Sequence, residues 1–225
     1  MTFVIDEDFS WFLEQFGNPQ LVEEATKNVI DTYSGVMPNR LLEYWKQFGF
    51  CSFKDGLIWL VNPSDYKSLV NTWLKGTGIL ETDNFHVFAR SGFGVLYLWG
   101  EKTGRSWSIE PLNGRIFSNG NYQKEILAGN ADDVIQSFFG IVSPDTIDIK
   151  DSNTRNFIFE EAVSKYDPLK SDEMFTFEPA PFMGGERSLR TVRKVNIFIQ
   201  TEILASMGQR EITDIKGLAQ KAFGK

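Results

Sequence analysis

The chain has 225 residues, 42% hydrophobic and 24% charged, with 20 Phe, 6 Trp and 6 Tyr. This is globular composition, long enough to fill a large core without disulfides or structural metals, and a single cysteine closes no intrachain bridge. A net charge of −7 argues against direct nucleic-acid binding, which needs clustered Lys and Arg to displace phosphate counterions, and a lone histidine supplies little chemistry near neutral pH.

The first helix is read from Phe9, Phe12, Leu13 and Phe16, spaced i, i+3, i+4 and i+7 and stopped by Gly17 and Pro19. Residues 20–35 stay ambiguous, a loop with a helical turn. A second helix opens at Pro38, carries Leu41, Leu42, Trp45 and Phe48, and closes at Gly49. Strands over 50–54 and 57–61 flank Asp55-Gly56, a two-residue hairpin signal. Asn62 then caps a third helix with Pro63 in its first turn and Asp65 near its positive end. Tyr66, Leu69, Val70, Trp73 and Leu74 give that helix its buried face, and Gly76 and Gly78 end it.

The middle reads as strand: 84–90, 93–99, 105–110 and 115–118, separated by Gly-containing turns. With the earlier hairpin, this predicts an antiparallel sheet of about four to six strands, one face covered by the N-terminal helices. Beyond Gly120 the pattern returns to helix. Asn130 caps one that carries Val134, Ile135, Phe138 and Phe139; 144–151 is a connection; 154–165 is another helix; 170–185 is irregular. A last helix is expected over 189–207, with Leu189, Val192, Val195, Ile199, Ile203 and Leu204 on one face and Ser188 as its cap. The expected fold is α+β, with a 1–120 α+β region and a mostly helical 121–225 region packed on it as one globule.

Charge is uneven along the chain. Residues 125–178 hold 12 acidic and 4 basic residues, a net of −8, whereas 187–225 hold 8 basic and 3 acidic, a net of +5. Such runs are commonly two solvated surfaces; the sharper reading is an acidic face that steers a basic partner. Asp132, Asp133, Asp145, Asp148, Asp151, Glu160, Glu161, Asp172 and Glu173 are the candidate partner-binding residues. Gly184-Gly185 before the expected last helix, with Arg187, Arg190, Arg193 and Lys194 in its first turns, make a candidate anion site. The alternative is that the acidic stretch neutralises these cations within the chain.

Familiar catalytic patterns fit poorly. His86 lies in Phe85-His86-Val87-Phe88 with no second His and no Cys at ligand spacing, so the usual zinc sites are excluded by count. No G-x-S-x-G elbow accompanies it. Cys51, between Phe50 and Ser52, reads as a small buried apolar residue. Asp145, Asp148 and Lys150 echo the acid and Asp-x-Lys of magnesium-dependent nucleases, but they stand too close in sequence to surround a metal. Gly76–Gly78 and Gly92–Gly94 lack the third glycine of a dinucleotide loop. No metal or cofactor is expected. A carboxylate-based hydrolase requires a concave pocket holding two close acids, and 30 acidic residues leave sequence unable to choose a pair.

Three stretches together carry a resemblance. The first is Pro38-x-x-Leu41-Leu42-x-Tyr44-Trp45-x-x-Phe48-Gly49-Phe50 running into Asp55-Gly56-x-x-Trp59-x-Val61-Asn62-Pro63-x-x-Tyr66. The second is the hairpin 85–99. The third is Phe177-Glu178-Pro179-Ala180-Pro181-Phe182-Met183-Gly184-Gly185 and the helix expected to follow it. The combination resembles the GAD-like bacterial proteins with a second conserved region at the C-terminus, a group that includes immunity proteins of type VI secretion DNase effectors. The resemblance implies a non-catalytic protein that binds and neutralises a cognate toxin, a basic effector domain, without direct contact to nucleic acid or membrane.

Two rivals come from the residues themselves: an adaptor that uses the basic segment 187–194, and the carboxylate hydrolase. The N-terminal Met1-Thr2-Phe3-Val4-Ile5-Asp6-Glu7-Asp8 lacks the basic start and long apolar stretch of a signal peptide. No apolar run approaches the roughly 18 residues that span a bilayer. A cytoplasmic location is the expectation.

Overall fold

The computed structural model describes residues 4–208 and 210–223. The first helix, α1 (Glu7–Phe16), starts at Asp6, whose carboxylate accepts the Phe9 N–H at 2.9 Å and the Tyr44 hydroxyl at 2.5 Å. A short strand, β1 (Gln20–Glu23), and helix α2 (Lys27–Tyr33) occupy the stretch left ambiguous in the sequence. In α3 (Asn39–Phe48) Pro38 holds the cap position and has no side-chain acceptor to offer the free N–H groups. Asp132 supplies it instead, accepting the Arg40 N–H at 2.8 Å from the far half of the chain.

The predicted hairpin forms as β2 (Phe50–Phe53) and β3 (Ile58–Leu60). Its connection is a 3-10 turn, with φ of 48° at Lys54, 56° at Asp55 and 95° at Gly56. Helix α4 (Pro63–Leu74) follows, its cap Asn62 accepting the Ser64 N–H at 3.2 Å. The meander is β4 (Phe85–Ser91), β5 (Leu96–Gly100), β6 (Gly104–Glu110) and β7 (Arg115–Ser118). Then come α5 (Gln123–Leu127), α6 (Ala131–Ile141), one helical turn α7 (Pro144–Ile147) inside the expected connection, and α8 (Phe159–Tyr166), shorter than the expected 154–165.

The C-terminal third departs most from the sequence reading. Residues 170–185 are not wholly irregular, because β8 (Glu173–Phe177) lies within them. The single helix over 189–207 is replaced by a strand, β9 (Val192–Asn196), and a helix, α9 (Ile197–Ser206). Asn196, not Ser188, is the cap, accepting the N–H groups of Phe198 at 3.1 Å and Ile199 at 3.2 Å. The reason is pairing. Phe177 stands opposite Val192 and Phe175 opposite Lys194 in an antiparallel ribbon, and the helical i, i+3 spacing of Val192 and Val195 gives way to that partner strand, on which the two side chains take opposite faces. The chain ends in β10 (Glu211–Thr213) and α10 (Ile215–Phe223).

The main sheet therefore has eight strands among the described residues, ordered β1-β2-β3-β4-β5-β6-β7-β10, more than the four to six expected. Every neighbour is antiparallel except β10, which runs parallel to β7. Both added strands are short edges, β1 exposed at every position and β10 half-buried at two of its three, and no apolar pattern marks them. Both faces are covered, where one was expected. On one face Phe53, Phe88 and Tyr97 meet Phe12 of α1 and Phe138 of α6. On the other, Trp59 and Arg90 lie side by side in register, and Tyr66 of α4 lies near Arg90. Two-sided burial makes β2 and β3 buried at every position, so these strands read as continuous rather than alternating.

The core passes from one half of the chain to the other. Phe139 of α6 packs against Phe9, Tyr44 and Phe12 at centroid distances of 4.9, 5.2 and 5.3 Å. The Trp73 indole N–H donates to the Thr201 carbonyl at 3.1 Å. Gly92 is a point of close approach: a Cβ there would stand 2.5 Å from the Phe159 ring and 2.7 Å from the Gly56 carbonyl oxygen. No helix among the described residues is long and apolar enough to cross a membrane.

Candidate functional site

The nine candidate acids divide sharply. Four have work inside the fold. Asp132 caps α3. Asp148 accepts the N–H groups of Ile149 at 2.6 Å and Phe159 at 3.1 Å; burial outweighs these bonds and pushes its carboxyl up to about 6. Asp151 is buried and accepts from Asn153 at 2.8 Å, Leu189 at 3.0 Å and Thr154 at 3.1 Å, N–H groups that hold its carboxyl below the usual range. Glu173 accepts the Lys170 N–H at 2.9 Å and pairs with Lys194 at 3.3 Å. The other five, Asp133, Asp145, Glu160, Glu161 and Asp172, are exposed. Glu160 meets Lys54 at 3.6 Å, and Asp172 accepts from the Asn196 amide at 3.1 Å.

The candidate anion site loses its helix. Arg187 and Arg190 lie in a loop, and Arg193 and Lys194 lie on β9, so no helix N-terminus stands beside Gly184-Gly185. The cations already have partners: Arg187 with Asn113 at 2.7 Å, Arg190 with Glu186 at 2.9 Å, Arg193 with Glu178 at 3.2 Å, and Lys194 with Glu173. Only Arg193 and Lys194 pair with carboxylates of the acidic stretch, Glu178 and Glu173; Arg190 pairs with Glu186 outside it, and Arg187 donates to a neutral amide oxygen. Arg187 also lines a cavity of about 500 Å³ with Arg115, Lys150, Arg155, Glu110 and Asp148, a mixed-charge surface over the β5–β7 part of the sheet.

His86 is half-buried on β4, its Nε2 2.9 Å from Glu101 and its ring edge-on to Tyr33. Cys51 is fully buried on β2, and burial pushes its thiol up to about 12, far from the thiolate a nucleophile needs. Among the described residues no group of three or more His, Cys, Asp or Glu is placed to hold a metal.

Sequence reasoning missed a groove of about 740 Å³. Its walls come from β1, β2, β3, the N-terminal end of α4, the loop 170–172 and Phe198 of α9. Trp59, Tyr66, Phe50 and Phe198 form an aromatic lining; Glu23, Asp65 and Asp172 stand around it against one ammonium, Lys170. Beneath it Arg90 is fully buried, 4.5 Å over the Trp59 ring, donating to the carbonyls of Ser171 at 2.9 Å and Lys170 at 3.3 Å. Partial burial, and then the nearby Glu23 carboxylate, raise the carboxyl of Asp65 although the helix start would favour its charge. Two sequence readings touch this groove: Asn62-Pro63 with Asp65, which placed an acid at a helix start, and Asp172 among the candidate partner-binding acids. Glu23 carried none.

The architecture defines an α+β protein whose large sheet is covered on both faces, with a groove where the two halves of the chain meet. Residues 7–113 match the GAD-like domain, and residues 132–208 match the family described as T6SS immunity protein Tdi1, C-terminal. The chain belongs to the GAD-like proteins that carry this second, C-terminal region. A solved structure, the crystal structure of Atu4351 from Agrobacterium tumefaciens, is similar with a TM-score of 0.78 and 23% identity over 94% of this chain and 93% of that one, a likeness of fold. No curated protein matches the sequence.

Proposed function

We propose that the protein is an immunity protein of a type VI secretion system, and that it neutralises a nuclease effector by binding and covering it, without catalysis of its own. The observation that carries this reading is the match of residues 132–208 to the Tdi1 immunity family, adjoining a GAD-like domain. The chemistry is in keeping with it: the lone thiol is inert and the lone imidazole is engaged with Glu101. A nuclease holds nucleic acid with Lys and Arg, and a net charge of −7 with exposed carboxylates complements such a surface.

The test is co-expression of the chain with the effector encoded beside its gene. Growth rescue together with co-purification of the two proteins is the expected result. Failure of both rejects the immunity reading.

A second reading has one observation behind it. Glu23 and Asp65 share the groove, and an acid with a raised pKa beside another carboxylate meets the formal requirement for carboxylate hydrolysis. Turnover of a glycoside or ester panel that disappears in Asp65→Asn would favour it over binding.

A further inference from the structure

We infer that the aromatic groove is the docking site for a basic side chain of the partner protein, an arginine seated between Glu23, Asp65 and Asp172; this rests on the binding function proposed above.

Charge complementarity selects the occupant. Three carboxylates face one ammonium across the lining. Neither the Glu23 nor the Asp65 side chain has a hydrogen-bond or ion-pair partner among the described residues, whereas every cation of the 187–194 segment has one. Burial, and after it the nearby Glu23 carboxylate, raise the carboxyl of Asp65, and a cation between the two acids would offset the second of these. The lining favours guanidinium over ammonium, because a planar delocalised cation stacks on aromatic rings while its N–H groups reach carboxylates. Arg90 on Trp59 shows this chemistry one layer below.

The rim supplies the apolar contact that an anchored side chain needs around it. Leu21 on the edge strand β1 lines the groove and is 59% exposed. It holds a φ of 47°, unusual for a branched side chain. An added β-strand is not the occupant: the β1–β2 pairing shifts register between Gln20 and Glu23, which breaks the regular edge such a strand requires. The groove also joins the two family regions, with Glu23, Trp59 and Asp65 from the first and Asp172 and Phe198 from the second. Neither region alone has the complete site.

The test uses the full chain and a variant with Glu23→Lys and Asp65→Asn, both exposed positions, so its unfolding midpoint should stay close to wild type. In the first arm, N-acetyl-arginine amide is titrated into each protein and followed by amide chemical shifts, with N-acetyl-glutamate amide as control. Shifts confined to residues 20–23, 59–66 and 171–172, seen only with arginine and lost in the variant, are expected. Shifts elsewhere, or shifts that persist in the variant, overturn the proposal. In the second arm, affinity for the effector is measured, and the variant should bind about tenfold or more weakly. Equal affinity of the two proteins overturns the groove and leaves the immunity function standing. If wild type does not bind the effector, the immunity function fails and the arginine arm alone decides whether the groove takes a cation.

Discussion

Arg90 stacks on Trp59, the guanidinium carbon 4.5 Å from the ring centroid, and the same guanidinium donates to the carbonyl of Ser171 at 2.9 Å. One side chain thus ties the central sheet to the loop that borders the groove. Burial lowers its pKa, while Tyr66, Asp172 and Glu173 favour its charge.

Replacing Arg90 by Ala should therefore cost about 3 kcal/mol of stability, because the carbonyls of Lys170 and Ser171 lose a donor and Trp59 loses its cover. Arg90→Met keeps the packing and should cost less, about 1–2 kcal/mol. Urea denaturation of both variants checks the order; equal losses would mean the charge itself is what the site needs.

Asp148 gives a pH dependence of definite sign. Its carboxyl sits at about 6 in the folded chain against 3.8 when free. The folded state thus binds the extra proton between those values, and stability falls as pH rises from about 4 through 6. Asp148→Asn should raise stability at pH 7.5 by about 1 kcal/mol, after allowance for partial exposure. That gain should shrink towards pH 4, as thermal midpoints at the two pH values will show.

Cys51 should resist thiol reagents in the native state. Its thiol is fully buried and held near 12, so modification at pH 8 should follow the global unfolding rate. Labelling much faster than unfolding would contradict the packing of β2.

The nine acids separate into two classes by experiment as well as by position. Reversing Asp133, Asp145, Glu160 and Glu161 to Lys should slow association with a basic effector at low salt, with the difference shrinking at high salt. Asp151→Ala should instead lower stability by about 2 kcal/mol, since three backbone N–H groups lose their acceptor. Stopped-flow association and denaturation separate the two effects.

How much of this was legible depended on the range of the signal. The α4 start at Asn62-Pro63 and the β2–β3 hairpin rest on neighbouring residues, and the structure has both. β9 rests on Phe177 meeting Val192, a partner the local pattern does not name, and so a strand was read as helix. The cations at 187–194 were visible, but their partners Asn113, Glu173 and Glu178 were not. The groove lay furthest from view: Glu23, Asp65 and Asp172 come together only once α4 and the 170–172 loop border the same end of the sheet.

Titrating purified effector with the intact chain, while following nuclease activity, puts the covering mechanism to its plainest trial. Inhibition should grow in proportion to added protein and reach completion near one molecule per effector. Complete loss of activity at a small fraction of that ratio would mean that each molecule disarms many effectors in turn, and the chain would be a catalyst instead of a shield.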